Sequence, residues 1–541
     1  MQVITDHDKE RKRLGFGFGL AVPIARKLVD SSIGERILSV GLMLVSAALL
    51  GPPAADGMTP PQAGTGDAPD AYLPWPLPPG AESYADIDGR RMHQYVVEQA
   101  EISRRYRDTV HPKFWGRIIG TSADAESAEW LLGKFRTIGL SDVRIQKFDL
   151  APQWFPRTYS VTLRAGSTTF EVVSAQPVYR ATGTSPGGLE LEAAYVGLGR
   201  EADYIGRDVQ GKAVFLYSML GLPDSRQEAA IRLATARGAA AIFNVQMLPG
   251  NMRYQAYPKP TNVPTFTVGG DDGFAVHDLI ATAPPDRPVR VSVRLDVESV
   301  PDLETAIVWG SLPGTTDETI FLIAHRDGWF DASGDNASGV ASILGLAEHY
   351  ARIPQAERRR TLVFLGIDGH HNSGEGSAVG QRWLTDHRAE IFAKTALMIN
   401  AEHPSTVQTI VRPRYTLLSG AESEDRLFWT NAYTPQQWYA GGPSRPELER
   451  IAVNAFREFG VSLYLEPLPR PPAGDLGRHF RYVPGVATSD FHHYFHTDLE
   501  TPETVPWTGL EASTRAYARI IDEVNKLPLS ALQRPEEPRT P

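Results

Sequence analysis

Seven of the chain's 14 histidines fall in a few short stretches: His325; His370 and His371; His403; and His492, His493 and His496. Acidic residues stand among them, with Asp327 and Asp335 after His325, Glu402 before His403 and Glu500 after His496. The chain contains no cysteine, which removes disulfides, thiol nucleophiles and Cys-type zinc sites. Any metal must therefore be held by His, Asp and Glu. His325 closes the apolar run TIFLIA, and Asp327 follows two residues later, placed to orient or polarise the imidazole. Asp335 precedes Asn336 and the small residues Ala337, Ser338 and Gly339, which let a helix pack tightly beneath. A carboxylate there can bridge two cations. Taken singly, His325 is better read as a strand-end residue and Asp335 as a helix cap. In this order and spacing, metal chemistry is the sharper reading. There is no G-x-S-x-G elbow, Walker A motif, dinucleotide fingerprint or H-E-x-x-H helix.

Such residues need a rigid frame. The runs TIFLIA, TLVFLGI and TALMIN are nearly all apolar and alternate with helical patterns such as SGVASILGLAEHYAR and EGSAVGQRWLTDH. That alternation predicts a buried, largely parallel sheet. The histidine stretches lie at or beyond the carboxyl ends of predicted strands or in loops, and the carboxyl edge is where open α/β sheets bind ligands. Upstream, HQYVVEQAEISRRY and the segment with Ala128, Leu131, Leu132, Phe135 and Ile138 on one face predict helices, the second capped by Ser122 and Gly139. VRIQKFDL predicts a strand, and GLEASTRAYARIIDEVNKL a last helix with Leu510, Tyr517, Ile521 and Val524 on one face. Residues 155–300 have another texture: short strands (YSVTLRA, LEAAYVGLG, KAVFLYS, AAIFNV, PTFTV), one helix ending at Gly238, and no cluster of metal-competent side chains. They read as a β-rich unit inserted into an α/β domain.

These motifs resemble the M28 family of zinc-dependent exopeptidases, which includes bacterial aminopeptidases and glutamate carboxypeptidase-like proteins. His-x-Asp at a strand end, then Gly-Asp-Asn-x-Ser-Gly opening a helix, is that family's first signature. YFHTDLETPETV is similar to its last, and Tyr195, Val209, Gly211, Lys212, Gly238, Ala239 and Pro264 are similar to an inserted protease-associated domain. The resemblance implies a three-layer α/β/α zinc-exopeptidase domain with a mixed, largely parallel sheet, plus that β-rich insertion as a lid over the site. It implies one or two zinc ions, His325 and His496 each binding one, Asp335 bridging both and Asp327 supporting His325.

Two motifs depart from the family. Its usual Glu-Glu dyad is His370-His371 here, in DGHHNSGEGS, with the spacing to Gly376 and Ser377 kept. His370 thus stands at the general base and His371 at a glutamate ligand, with Glu375 a poorer substitute. The usual Asn-x-Asp is Asn400-Ala401-Glu402, so Glu402 is the expected oxygen ligand; Glu500 likewise replaces an Asp. Neutral imidazole is a sound zinc ligand, and a histidine titrates near the pH a base needs. The exchange removes negative charge, so a weaker second zinc, or catalysis lost with metal or partner binding kept, stands as the alternative. His403, His492 and His493 read as pocket-lining, His493 being the spare ligand. The segment from Pro404 to Tyr482, with Trp429, Trp438 and Tyr439, is expected to line a specificity pocket.

The ends read differently. Basic residues precede the apolar run Ile37–Gly51, too short to span a bilayer, and Ala54 and Ala55 follow. Export with cleavage is expected, membrane anchoring being the alternative, and Met43 inside the run leaves the start codon open. The division expected is 1–55 signal or anchor, 56–83 Pro-rich linker, 84–154 and 301–527 peptidase domain, 155–300 insertion, and 528–541 disordered tail. Lys plus Arg number 54 against 64 Asp plus Glu, a net charge of −10, which argues against a general nucleic-acid binder. A peptide substrate is the expected partner, a homodimer is compatible, and membrane contact requires a retained N-terminal segment.

Overall fold

The computed structural model describes residues 75–218, 224–248, 250–257, 261–371, 378–412, 426–433, 436–441, 446–463, 472, 474–489 and 494–533. Asp88 starts α1 (Gly89–Thr109), its carboxylate accepting from the N–H groups of Arg90 and Arg91. Met92, Val96, Gln99, Ala100 and Ser103 recur every three or four residues and are buried. The next helix, α2 (Ser122–Ile138), is capped one residue earlier than expected: the Thr121 hydroxyl accepts from Asp124 N–H, while Gly139 ends the helix at φ 92°.

Strand β1 (Ser141–Asp149) then leads out of the main sheet into the inserted unit. The insertion comprises β2 (Gln153–Ala165), β3 (Thr168–Glu171), β4 (Gln176–Pro177), β5 (Leu189–Tyr195), β6 (Ala213–Ser218), α3 (Asp224–Ala236), β7 (Ala241–Gln246), β8 (Thr265–Val268), α4 (Gly270–Thr282) and β9 (Arg290–Val300). It forms one eight-stranded sheet, ordered β3-β2-β9-β5-β6-β7-β8-β4. Two helices cross it rather than the one expected; GDDGFAVHDLIAT carries two glycines and three aspartates that disguise α4 as a turn. The core stacks Phe215, Phe243 and Phe266, with neighbouring ring centroids 4.6 and 5.5 Å apart.

The chain returns through β10 (Glu304–Leu312), paired antiparallel to β1 with Glu304 opposite Asp149. There follow β11 (Thr319–His325), α5 (Gly339–Ala351), β12 (Thr361–Ile367), α6 (Val379–Asp386), β13 (Thr395–Ala401), β14 (Gln437–Ala440), α7 (Pro446–Glu458), β15 (Gly485–Ser489) and α8 (Trp507–Asn525). The seven-stranded order is β14-β15-β13-β11-β12-β10-β1. Its centre, from β15 to β12, is parallel, and both edges are antiparallel. Ile320, Leu322 and Ala324 face one apolar layer with α1, α2, α5, α7 and α8, whereas Phe321 and Ile323 face the other with α6. Burial on both faces explains the continuous apolar runs, each such side chain stabilising the fold by about 1.5–3 kcal/mol.

Order extends past the limits expected for the peptidase domain. Ala81 is buried before Tyr84, and the turn Leu529–Leu532 buries Leu532, so the disordered tail does not start at 528. Among the described residues no helix is long and apolar enough to cross a membrane. The run Ile37–Gly51 lies outside the described residues.

Candidate metal centre

The carboxyl ends of β11, β12 and β13 deliver His325, the segment Asp368–His371, and Glu402 with His403 to one edge of the sheet. Asp335 arrives from the turn before α5, which Asn336 fixes. The Asn336 amide donates to Ala401 O at 2.9 Å, and its Oδ1 accepts from Gly339 N–H and His403 N–H, both at 3.1 Å. A Cβ on Gly339 would lie 2.1 Å from Ala401 O, so only glycine lets α5 approach β13 this closely. Gly369, at φ +68°, likewise leaves room for Asp327, whose Oδ1 would stand 1.6 Å from a Cβ there.

Two buried aspartates hold the same two imidazoles by opposite nitrogens. Asp327 lies at Nδ1 of His325 (2.8 Å) and of His371 (3.0 Å), and also accepts the backbone N–H groups of His370 and His371. Asp335 lies at the other side: Oδ1 is 3.0 Å from His325 Nε2, and Oδ2 is 3.0 Å from His371 Nε2 and 2.9 Å from His496 Nε2. Glu402 Oε1 is 3.5 Å from His325 Nε2, while its Oε2 accepts from Asn400 at 2.9 Å. Glu500 accepts Asp335 N–H at 2.6 Å and His496 N–H at 3.0 Å, so it positions two members of the cluster. The structure therefore brings together His325, Asp327, Asp335, His371, Glu402 and His496.

His370 stacks on His371, ring centroids 4.5 Å apart, and together with His325 and His371 could hold a cation. It is the most open of the group, and its Nδ1 is 3.5 Å from Oδ1 of Asp475, a buried carboxylate that also accepts from Gln381 Nε2 at 2.6 Å. Three residues of the centre were not singled out as its members from the sequence. Asp475 is one. Tyr257 of the insertion is another: its hydroxyl is 3.4 Å from His371 Nε2, and its ring centroid is 5.0 Å from that of His496. The third corrects an expectation. His403 is no mere pocket wall, because its Nε2 stands 2.8 Å from Asp335 Oδ1. Glu375, Gly376, Ser377, His492 and His493 lie outside the described residues, as does the Trp429 side chain.

Charge explains the protonation pattern. Burial opposes ionising Asp335 and Asp327, but the surrounding imidazoles overcome it and hold both well below the usual carboxylate range. Burial also opposes protonating His371; Asp335 and Asp327 outweigh it and push the group up to about 10. His325 is raised likewise by Glu402 and Asp327 against its burial. At His496 burial wins over Asp335, and its value falls to about 3. A divalent cation would take the place of the protons on this cluster.

The donor set fits zinc: buried imidazole nitrogens, those of His325 and His371 with the far nitrogen held by Asp327, and buried carboxylate oxygens. His325 Nε2 and Asp335 Oδ1, though adjacent, find no aligned hydrogen-bond partner, as atoms aimed at a cation would not.

No curated protein matches the sequence. The fold is similar to that of BSAP, a zinc aminopeptidase from Bacillus subtilis, with 16% identity, 85% of this chain and 100% of that one covered, and a TM-score of 0.56. It is also similar to a Peptidase M28 precursor from Shewanella amazonensis SB2B (17% identity, 83% and 98% covered, TM-score 0.58) and to an aminopeptidase from Aneurinibacillus sp. strain AM-1 (15%, 85% and 98%, 0.50). Residues 308–521, which carry the whole cluster except Tyr257, match the model of Peptidase family M28.

Proposed function

We propose that the protein is an exported zinc-dependent exopeptidase, and an aminopeptidase, that uses a histidine where related enzymes use a glutamate base. The match of residues 308–521 to the Peptidase M28 family model supports a metal-dependent peptidase. The observation that carries the finer reading is the difference in partners at 370–371: His371 Nε2 meets Asp335 at 3.0 Å, whereas Nδ1 of the more open His370 faces Asp475 at 3.5 Å. Resemblance to aminopeptidases supports the substrate class, and the basic-then-apolar N-terminus supports export.

His325, Glu402 and Asp335 would hold one ion, and Asp335, His371 and His496 the other. Bound zinc supplies Lewis-acid polarisation of the scissile carbonyl and water of lowered pKa. Asp327 holds Nδ1 of both imidazoles and so leaves each Nε2 to hold an ion that displaces its proton. His370 takes the proton of the attacking water and returns it to the leaving amine, with Asp475 steadying Nδ1. The Tyr257 hydroxyl, raised well above its ordinary value by burial and then by Asp335 and Asp327, stays a donor. The insertion thereby acts as a lid. Its Gln255 N–H donates to His496 O at 2.9 Å, and Tyr254 pairs with Thr497.

The test is a panel of aminoacyl chromogenic substrates on purified protein, stripped by chelator and then given zinc, cobalt or manganese. Metal-dependent release of the chromophore is expected. Stoichiometric metal without turnover on any amino- or carboxy-terminal substrate would leave a metal-binding protein that is no peptidase. N-terminal sequencing is expected to find mature protein starting shortly after Ala55; Met1 on cytoplasmic protein would overturn export.

A further inference from the structure

The two halves of the cluster differ in how completely the protein closes them. At one, Asp335 Oδ1 meets His325 Nε2 at 3.0 Å and His403 Nε2 at 2.8 Å, while Glu402 Oε1 lies 3.5 Å from the first and 3.9 Å from the second. Four ligands about 2.0–2.1 Å from a tetrahedral zinc must stand roughly 3.3–3.4 Å from one another. The four distances straddle that edge. At the other half, Asp335 Oδ2, His371 Nε2 and His496 Nε2 form a triangle with sides of 3.0, 2.9 and 3.1 Å. Among the described residues no further His, Asp or Glu atom joins this trio. What borders it is the Tyr257 hydroxyl.

Backbone geometry accounts for the fourth donor. Successive residues of a strand point to opposite faces, so Glu402 and His403 would ordinarily diverge. His403 instead adopts φ +41°, its N–H tied to Asn336 Oδ1, and this turns its imidazole back beside Glu402. It is 3% exposed.

We propose that His403 is a metal ligand that makes the centre asymmetric: a closed, four-ligand structural subsite of His325, His403, Glu402 and Asp335, beside an open catalytic subsite of His371, His496 and Asp335. Structural zinc is closed by four protein ligands, whereas catalytic zinc keeps a position for water or substrate. Substrate therefore meets the ion on the His371–His496 side, under Tyr257. This inference rests on the zinc reading above.

The experiment uses the full chain, stripped and reloaded with Co(II), in the parent, His403→Ala and His403→Cys. Binding is measured by equilibrium dialysis, and coordination by the visible and near-ultraviolet spectrum with and without azide. The parent is expected to bind two ions, only one of which changes its spectrum with azide. His403→Ala is expected to weaken one ion by more than the roughly 10–100-fold typical of losing an outer-shell partner. His403→Cys is expected to keep that ion and to gain a sulfur-to-cobalt charge-transfer band. A parent that binds two ions, with affinities unchanged in His403→Ala and no new band in His403→Cys, would overturn the fourth ligand while leaving the zinc reading intact. A parent that binds no metal would overturn both.

Discussion

The main sheet and the sheet of the insertion are built alike at their centres. In each, four neighbouring strands run parallel: β15-β13-β11-β12 in one and β5-β6-β7-β8 in the other. Their carboxyl ends differ. The main strands end in or lead to His325, His371, Glu402 and His403, joined by Asp335. The inserted strands end at Ser218, Gln246 and Val268, and among the described residues no metal-competent group forms there. A parallel carboxyl edge thus supplies a place, and only buried charge supplies chemistry. The insertion contributes through the stretch before β8 instead, where Tyr254, Gln255 and Tyr257 reach Thr497, His496 and His371.

The sharpest break in that contrast is Asp335→Ala. It is expected to strip most of both ions, because Oδ1 serves one half of the cluster and Oδ2 the other; metal analysis after dialysis checks this, and near-parental zinc content would discard the assigned centre. Next comes His370→Ala, expected to keep its zinc while turnover falls by roughly 10²–10⁴. Unchanged turnover would remove His370 as the base, and metal analysis run in parallel separates that result from loss of the ion.

On the insertion side, Phe243→Ala is expected to cost about 3–5 kcal/mol, since the ring is fully buried between Phe215 and Phe266. Thermal unfolding should show it while zinc content at 20 °C holds. Parallel loss of zinc would show that the two sheets do not keep separate duties.

A quieter contrast lies within the main lobe. His479 is buried near the same edge, and burial pushes it down to about 4. The folded state resists its protonation, so stability is full above about pH 6.5 and falls as pH drops toward 4. The loss is about 2 kcal/mol by pH 5. His479→Gln should flatten that portion of the urea-midpoint profile relative to the parent. The smallest effect belongs to the exposed pair Arg105–Glu126, where Arg105→Ala should cost less than about 0.5 kcal/mol.

Residue order carried much of this. Apolar runs buried on both faces mark the central strands. His403 was hidden because it lies past the end of β13, where its positive φ, which spacing does not reveal, sets its direction. Asp475 lies far along the chain from His370, in a stretch with no regular period, and Tyr257 sits in a connection between strands. Contacts made by such segments depend on tertiary packing, which local spacing does not encode. The cap moved from Ser122 to Thr121 because neighbouring hydroxyls compete on equal terms.

The pairing of Asp149 with Glu304 has a consequence for how the molecule could be rebuilt. Opposed residues on antiparallel strands stand only about 4.5–5.5 Å apart, so residues 150–303 enter and leave through a single doorway. A short hairpin turn could replace them without disturbing the register of β1 or β10. In modular terms the insertion is a cassette. The trimmed chain would keep all the metal-competent side chains of the cluster, and would lose the cover that Tyr254, Gln255 and Tyr257 lay over His371 and His496 together with the packing of Trp154, Phe155 and Tyr179 on Phe114 and Trp329.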